Sequence, residues 1–279
     1  MSDAPEVSGQ LEYRPLLNST SAAPFALEAR FQLAGSAAPL QVRDRYAIYK
    51  AHEDAKLLRD RGIDIPVCVR IHSATVEREP QILGLLAEIR TATARPMVEI
   101  SPASQITDVE RVKKFIEVAH KIGLDIALDD YGEGANTTAL LQLNADILKL
   151  GRHFTRGLMR SPQQRHTVGM LIEVAHNAKL RVLAEGVEGV DTWEWLRLAG
   201  CDAIESSLVA PPMHIDQVVD WAPRYADRMR AARERGEPLA QTLTAIHEES
   251  LAGKQLGGVT GSALTPNVES AVTFYSEKT

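Results

Sequence analysis

The chain has 279 residues, 44% of them hydrophobic and 24% charged, with a formal net charge of −6. That length suits one barrel-sized domain of about 250 residues with extensions, and the negative balance excludes a general attraction to nucleic acid or an anionic membrane surface, though not a local basic patch. The acidic, polar start MSDAPEVSGQ, the lack of any apolar run near the ~18 residues of a membrane span, and two cysteines without CxxC spacing, Cys68 and Cys201, give the expectation of a cytoplasmic protein with buried, reduced thiols.

Short apolar runs alternate with longer amphipathic stretches, the pattern of a parallel sheet wrapped by helices. The expected strands are Leu11 to Leu17, Phe25 to Leu33, Pro66 to Ile71, Met97 to Ser101, Asp125 to Asp130, Ile147 to Leu150, Arg181 to Val187 and Ala203 to Val209. Between them, Val42 to Arg61 has room for one full helix, and in Thr107 to Gly123 the residues Val109, Val112, Ile116 and Ala119 recur at helical spacing. Ser161 followed by Pro162 forms a cap and first-turn pair before a helix toward Asn177, and Thr192 to Ala199 is a shorter helix ending before Gly200. Eight strands with helical crossovers favour a closed (β/α)8 barrel over an open doubly wound sheet, with closure left open by sequence alone. After Pro212 the rhythm changes: helices are expected over Ile215 to Arg235 and from Leu239 to Leu251, then a Gly/Ser/Thr-rich tail. The implied division is a flexible N-terminus (1–10), a barrel (11–235) and a C-terminal extension (236–279), partly disordered or held by a partner.

In a barrel, chemistry gathers at the carboxyl ends of the strands. Those ends carry Glu28, Arg70, Glu99, Asp129 with Asp130, Lys149, Glu185 and Glu205. So many carboxylates raise one another's pKa unless cations offset them. Either divalent ions such as Mg²⁺ or Mn²⁺ or basic side chains must do so, and a pair of such ions suits phosphodiester hydrolysis. The eight histidines, among them His72, His153, His166 and His176, show no HxH or HExxH spacing. The GEG stretch lacks the third glycine of a dinucleotide loop, and the mixed-sign run Arg228 to Glu237 reads as a solvated helical face.

Three segments carry a family likeness. LDDYGEG at Leu128 to Gly134 resembles the DDFGTG signature of EAL domains, the family of cyclic di-GMP phosphodiesterases; LKL at Leu148 to Leu150 resembles its KID, and AEGVE at Ala184 to Glu188 matches a further signature. The likeness runs from about Leu11 to Pro212. It implies a TIM-like barrel in which Glu28, Glu99, Asp129, Asp130 and Glu185 match metal-binding carboxylates, and Lys149 matches the lysine that positions the attacking water.

The departures from that pattern are as informative. The EAL triplet reads EAR, and Arg70 in VRIH stands where the family has a metal-binding Asn; a guanidinium offers no lone pair and repels a cation. Gly151 replaces the Asp of KID, Pro102 the second Glu of EITE that anchors a loop, and Glu133 the Thr within that loop. Glu205 and Ser206 replace the Gln and Gly of a QG pair, and Gln32 stands for a phosphate-holding Arg, with Arg30 two residues earlier. The shortened stretch between Glu28 and Arg70 also removes part of the nucleotide-covering region.

The resemblance with these departures implies a catalytically inactive regulator with no metal cofactor, acting through a regulatory protein partner or self-association. The acids would survive in a salt-bridge network with Arg70 and Lys149, and Arg70 is expected to point into them. Two alternatives stand beside this: a receptor that binds cyclic di-GMP without cleaving it, and a weak phosphodiesterase using Mg²⁺ or Mn²⁺. No sensory domain is expected ahead of the barrel. The helix after Ile215 presents Ile215, Val218, Val219, Trp221, Tyr225 and Met229 on one face, whereas Leu239 onward is expected to serve association rather than the barrel core.

Overall fold

The computed structural model describes residues 9–33, 38–79, 81–93, 95–101, 106–131 and 143–256, with the side chains of Leu33, Asp130, Tyr131 and residues 253–256 outside that description. Eight strands close a barrel in sequential order: β1 (Gly9–Asn18), β2 (Pro24–Leu33), β3 (Val67–His72), β4 (Met97–Ser101), β5 (Asp125–Tyr131), β6 (Ile147–Leu150), β7 (Arg181–Val187) and β8 (Ala203–Ser206). β1 runs antiparallel to both neighbours, and the other pairs are parallel. The reversal departs from the all-parallel sheet expected of the sequence, and chain length explains it. A parallel return needs a crossover of a dozen or more residues, and only Ser19 to Ala23 separate β1 from β2. That link is a tight turn in which Asn18 Oδ1 accepts the backbone N–H groups of Thr20 (3.0 Å) and Ser21 (2.9 Å).

The helices α1 (Leu40–Asp60), α2 (Ser73–Arg78), α3 (Ile82–Ile89), α4 (Val109–Lys121), α5 (Arg152–Thr155), α6 (Pro162–Asn177) and α7 (Val190–Leu198) follow the strands. Their starts obey local chemistry. Asp108 caps α4 by accepting Arg111 N–H at 3.0 Å, and Ser161 caps α6 by accepting Gln164 N–H at 3.2 Å, with Pro162 in the first turn. Each helix turns one apolar stripe inward: Val112, Phe115, Ile116 and Ala119 on α4, and Val168, Ile172 and Ala175 on α6. The short helices α2, α3 and α5 have no counterpart in the sequence reading, and β8 ends at Ser206 rather than Val209.

Inside the barrel the lowest layer is apolar, one residue from each strand: Leu16, Ala26, Cys68, Met97, Ala127, Ile147, Leu183 and Ala203. This plug seals the bottom, and both free cysteines are buried.

Beyond the barrel, α8 (Ile215–Glu234) packs on β1, its Tyr225 hydroxyl donating to Ala22 O at 2.7 Å. The final helix α9 (Leu239–Leu256) rests on α7 and buries Thr242, Leu243 and Ile246. Its inner face therefore belongs to the barrel's hydrophobic core, which the sequence reading placed outside it. Its contact with α7, whose buried residues are Trp193 and Leu196, was not visible in a helix whose apolar residues are widely spaced. Among the described residues, no helix is long and apolar enough to cross a membrane.

Candidate functional site: a ring of ionisable side chains

Successive inward-facing side chains of a strand lie two residues apart. Stepping two residues from each member of the apolar plug toward the carboxyl end of the parallel strands gives Glu28, Arg70, Glu99, Asp129, Lys149, Glu185 and Glu205, and on the reversed β1 the same step runs backward to Arg14. All eight strands thus place an ionisable residue in the layer above the plug. β1 and β2 bring Arg14 and Glu28 opposite each other in register, and β3 and β4 do the same for Arg70 and Glu99.

Lys149 is the centre of this ring. Its side chain is fully buried, and Nζ lies 3.2 Å from Glu28 Oε1, 2.7 Å from Glu185 Oε1 and 4.0 Å from Asp129 Oδ1, with an ion pair to Glu99 as well. Arg30, one step above Glu28 on the same face of β2, holds Glu28 at 2.6 Å, Glu185 at 2.6 Å and Glu205 at 3.4 Å. Arg14 reaches Glu205 at 3.0 Å. Arg70 turns inward, as expected from the sequence: it pairs with Asp129, lies 3.4 Å from Glu99 Oε1, and donates to Ser101 Oγ at 2.8 Å. Beside it, His72 and Thr75 are tied to buried Asp44 of α1, which fixes that helix over the end of β3.

Among the described side chains, five carboxylates face four cations, namely Arg14, Arg30, Arg70 and Lys149, so one proton suffices to neutralise that set. Burial drives the Glu99 carboxyl well above the ordinary range, reinforced by Glu28 and opposed by Lys149. Burial raises Glu205 too, aided by Glu28 and Glu185. Glu28 goes the other way: burial would raise it, but Lys149 and Arg30 outweigh that and hold it well below the ordinary carboxylate value. The ring therefore favours a protonated Glu99 beside an ionised Glu28.

The carboxylate oxygens of Glu28, Glu99 and Glu185 approach one another within 4.8 Å, close enough to share a cation. The cation they share in this geometry is the Lys149 ammonium. Glu28 Oε2, Glu99 Oε1 and Asp129 Oδ1 accept no hydrogen bond, yet Lys149 Nζ lies within ion-pair distance of all three acids, so a divalent ion using them would lie against an ammonium. Gly151 opens α5 with φ −61° and ψ 160°, a conformation open to any residue, so the loss of a side chain there answers no backbone demand. Pro102 and Glu133 lie outside the described residues, as does the side chain of Asp130. A cavity of about 200 Å³ opens beside Arg14 and Glu205, lined also by Arg152, Gly186 and Glu188.

The sequence reading grouped Glu28, Glu99, Asp129, Glu185 and Glu205 with Arg70 and Lys149, and the structure places these side chains in one layer. The same reading passed over Arg14 and used Arg30 only as a displaced phosphate ligand. The signal was available in the period of two: Arg30 shares the face of Glu28, and a reversed first strand puts Arg14 level with it.

Against known protein families, residues 10–212 match the EAL domain. The chain is 35% identical over 128 residues to the cyclic di-GMP phosphodiesterase PA2567 of Pseudomonas aeruginosa, covering 46% of this chain and 22% of that protein. It is 27% identical over 188 residues to the cyclic di-GMP phosphodiesterase PdeR of Escherichia coli, covering 66% and 28% respectively. The chain thus spans less than a third of these relatives' lengths. The crystal structure of the EAL domain of Mycobacterium smegmatis DcpA superposes with a TM-score of 0.68 at 22% identity, over 80% of this chain and 98% of that one.

Proposed function

The chain belongs to the EAL domain family, and from that membership we propose that it is a catalytically inactive EAL-type regulator, acting in the cytosol through a protein partner or a second copy of itself. One observation carries the reading: among the described residues, Glu28, Glu99, Asp129 and Glu185, which match the family's metal ligands, are each ion-paired with the chain's own cations. Lys149 takes Glu28, Glu99 and Glu185, Arg70 takes Asp129, and Arg30 clamps Glu28 to Glu185.

The donor set does not fit divalent ions. An Mg²⁺ or Mn²⁺ site needs oxygen ligands free to face the metal, and each of these carboxylates already faces an ammonium or a guanidinium. Displacing those cations would leave them buried without partners, at a cost of several kcal/mol for each. The family's Asn is replaced by Arg70, whose fixed charge lies 3.4 Å from Glu99. No hydrolytic step is therefore routed through a metal.

The cavity beside Arg14 and Glu205, about 200 Å³, is below the roughly 300–1,000 Å³ of sites that enclose drug-sized ligands, and a cyclic dinucleotide is at the upper end of that class. This weighs against the receptor alternative. Calorimetric titration with Mn²⁺, alone and with cyclic di-GMP, tests the proposal. Neither should give saturable heat. Stoichiometric Mn²⁺ binding that Glu99→Ala removes would refute it.

A further inference from the structure

The segment that follows β6 has a charge composition unlike the rest of the chain. From Ile147 to Ile172 there is no Asp or Glu, in a chain that carries 37 of them, while Lys149, Arg152, Arg156, Arg160 and Arg165 all fall within that stretch. By contrast, Glu77, Arg78 and Glu79 follow β3, and Glu188 and Asp191 follow β7. A local basic patch is thus set on a chain whose net charge is −6.

Packing fixes the backbone of residues 152–160. Thr155 and Leu158 are buried, and the Thr155 hydroxyl donates to Glu185 O at 2.7 Å. The side-chain amide of Gln164 donates to the carbonyls of His153 (3.1 Å), Phe154 (2.8 Å) and Arg156 (3.1 Å). Arg165 donates to those of Leu158 (3.2 Å) and Met159 (2.7 Å). Three carbonyls gathered on one nitrogen make the segment compact, and Gly157, at φ 72°, supplies the turn within it. Arg152, Arg156 and Arg160 stand exposed on this platform. Among the described residues none of their guanidiniums is ion-paired, whereas exposed arginines elsewhere have acids beside them, Arg45 with Glu79 at 2.8 Å and Arg230 with Asp227 at 2.7 Å. Met159, 37% exposed, adds an apolar side chain between two of the three.

We infer that residues 152–160 are a docking surface for an acidic segment of a partner protein, whose carboxylates pair with Arg152, Arg156 and Arg160 while an apolar side chain packs on Met159. Guanidiniums bind carboxylates through paired hydrogen bonds, and a platform already held in place loses little freedom on binding. Charge complementarity favours a short acidic segment over a nucleic acid. Glu188 shares a cavity wall with Arg152, and Glu173 ends the acid-free stretch, so a longer polyanion would run from the patch onto negative surface. The inference extends the proposed regulatory role by giving the chemistry of the partner, and it holds whether or not the ring of acids binds metal.

The test is fluorescence anisotropy of a labelled peptide of repeated Glu-Leu-Glu-Gly units titrated with the full chain, without metal or cyclic di-GMP. Binding should saturate at low salt and weaken as salt rises. The triple variant Arg152→Glu, Arg156→Glu, Arg160→Glu should raise the dissociation constant about tenfold or more with thermal unfolding unchanged. The same charge change on α8, Arg224→Glu, Arg230→Glu, Arg233→Glu, should leave binding within about twofold. No saturable binding at low salt would overturn the inference. So would equal weakening by the two triple variants, or single-stranded oligothymidylate of the same charge binding as tightly as the peptide. Each of these results would leave the inactive-regulator reading standing, whereas hydrolysis of cyclic di-GMP would refute that reading and leave the docking surface in place.

Discussion

Replacing Glu99 with Gln removes an ionisable group from the ring while keeping its shape. Among the described side chains five carboxylates against four cations leave an excess of one negative charge, and Glu99, fully buried and pushed upward by burial and Glu28, is the group whose surroundings most favour the compensating proton. A carboxyl whose folded pKa lies above its unfolded value binds a proton on folding. Its contribution to stability is complete at pH values below the ordinary carboxylate range and is lost as pH rises toward the raised value. One such proton costs about 1.4 kcal/mol for each pH unit, up to about 3 kcal/mol between about pH 6 and about pH 8. Glu99→Gln should therefore be near neutral at the acidic end, more stable than the wild type at the alkaline end, and flatter in its pH profile by about one proton. Urea unfolding of both proteins at several pH values gives that slope directly. A Gln variant destabilised by several kcal/mol throughout, with the wild-type slope retained, would show that Glu99 is ionised and refute the charge count.

Other substitutions probe other parts of the account. Lys149→Met strands Glu28 and Glu185 without their shared ammonium and should cost about 3–5 kcal/mol, a fall in melting temperature of roughly 6–20 °C by scanning calorimetry; a shift of only a degree or two would mean that the ring relaxes without it. Leu243→Ala, in the fully buried stripe of α9, should cost about 2–5 kcal/mol in urea unfolding, and an unchanged midpoint would return α9 to the role of a detachable appendage.

The strands were legible because their apolar runs are short and bounded by turn residues, and each of the eight falls where the sequence put it. What was not legible is direction. Reversal of β1 follows from the five-residue link Ser19 to Ala23, a matter of chain reach rather than of residue type. The acids were found through strand ends and motif likeness, but the full ring needed register: Arg14 is invisible as a partner of Glu205 until β1 is turned around, because the two lie 191 residues apart. Arg30 was undervalued for a related reason, since its place above Glu28 follows from the period of two within β2, whereas motif comparison put Gln32 at the phosphate-holding position and noted Arg30 only as an arginine two residues earlier. The docking of α9 was missed because its apolar residues Leu243 and Ile246 are few and meet a helix, not a strand, so no alternation marks them.

The central claim is that the chain's own cations have replaced the metal ions of a phosphodiesterase. Incubation of the full chain with cyclic di-GMP and either Mg²⁺ or Mn²⁺, followed by chromatography for linear pGpG, tests it most directly. The account predicts no product above the rate without protein; pGpG formed at a rate proportional to protein concentration and abolished by Glu28→Ala would contradict it.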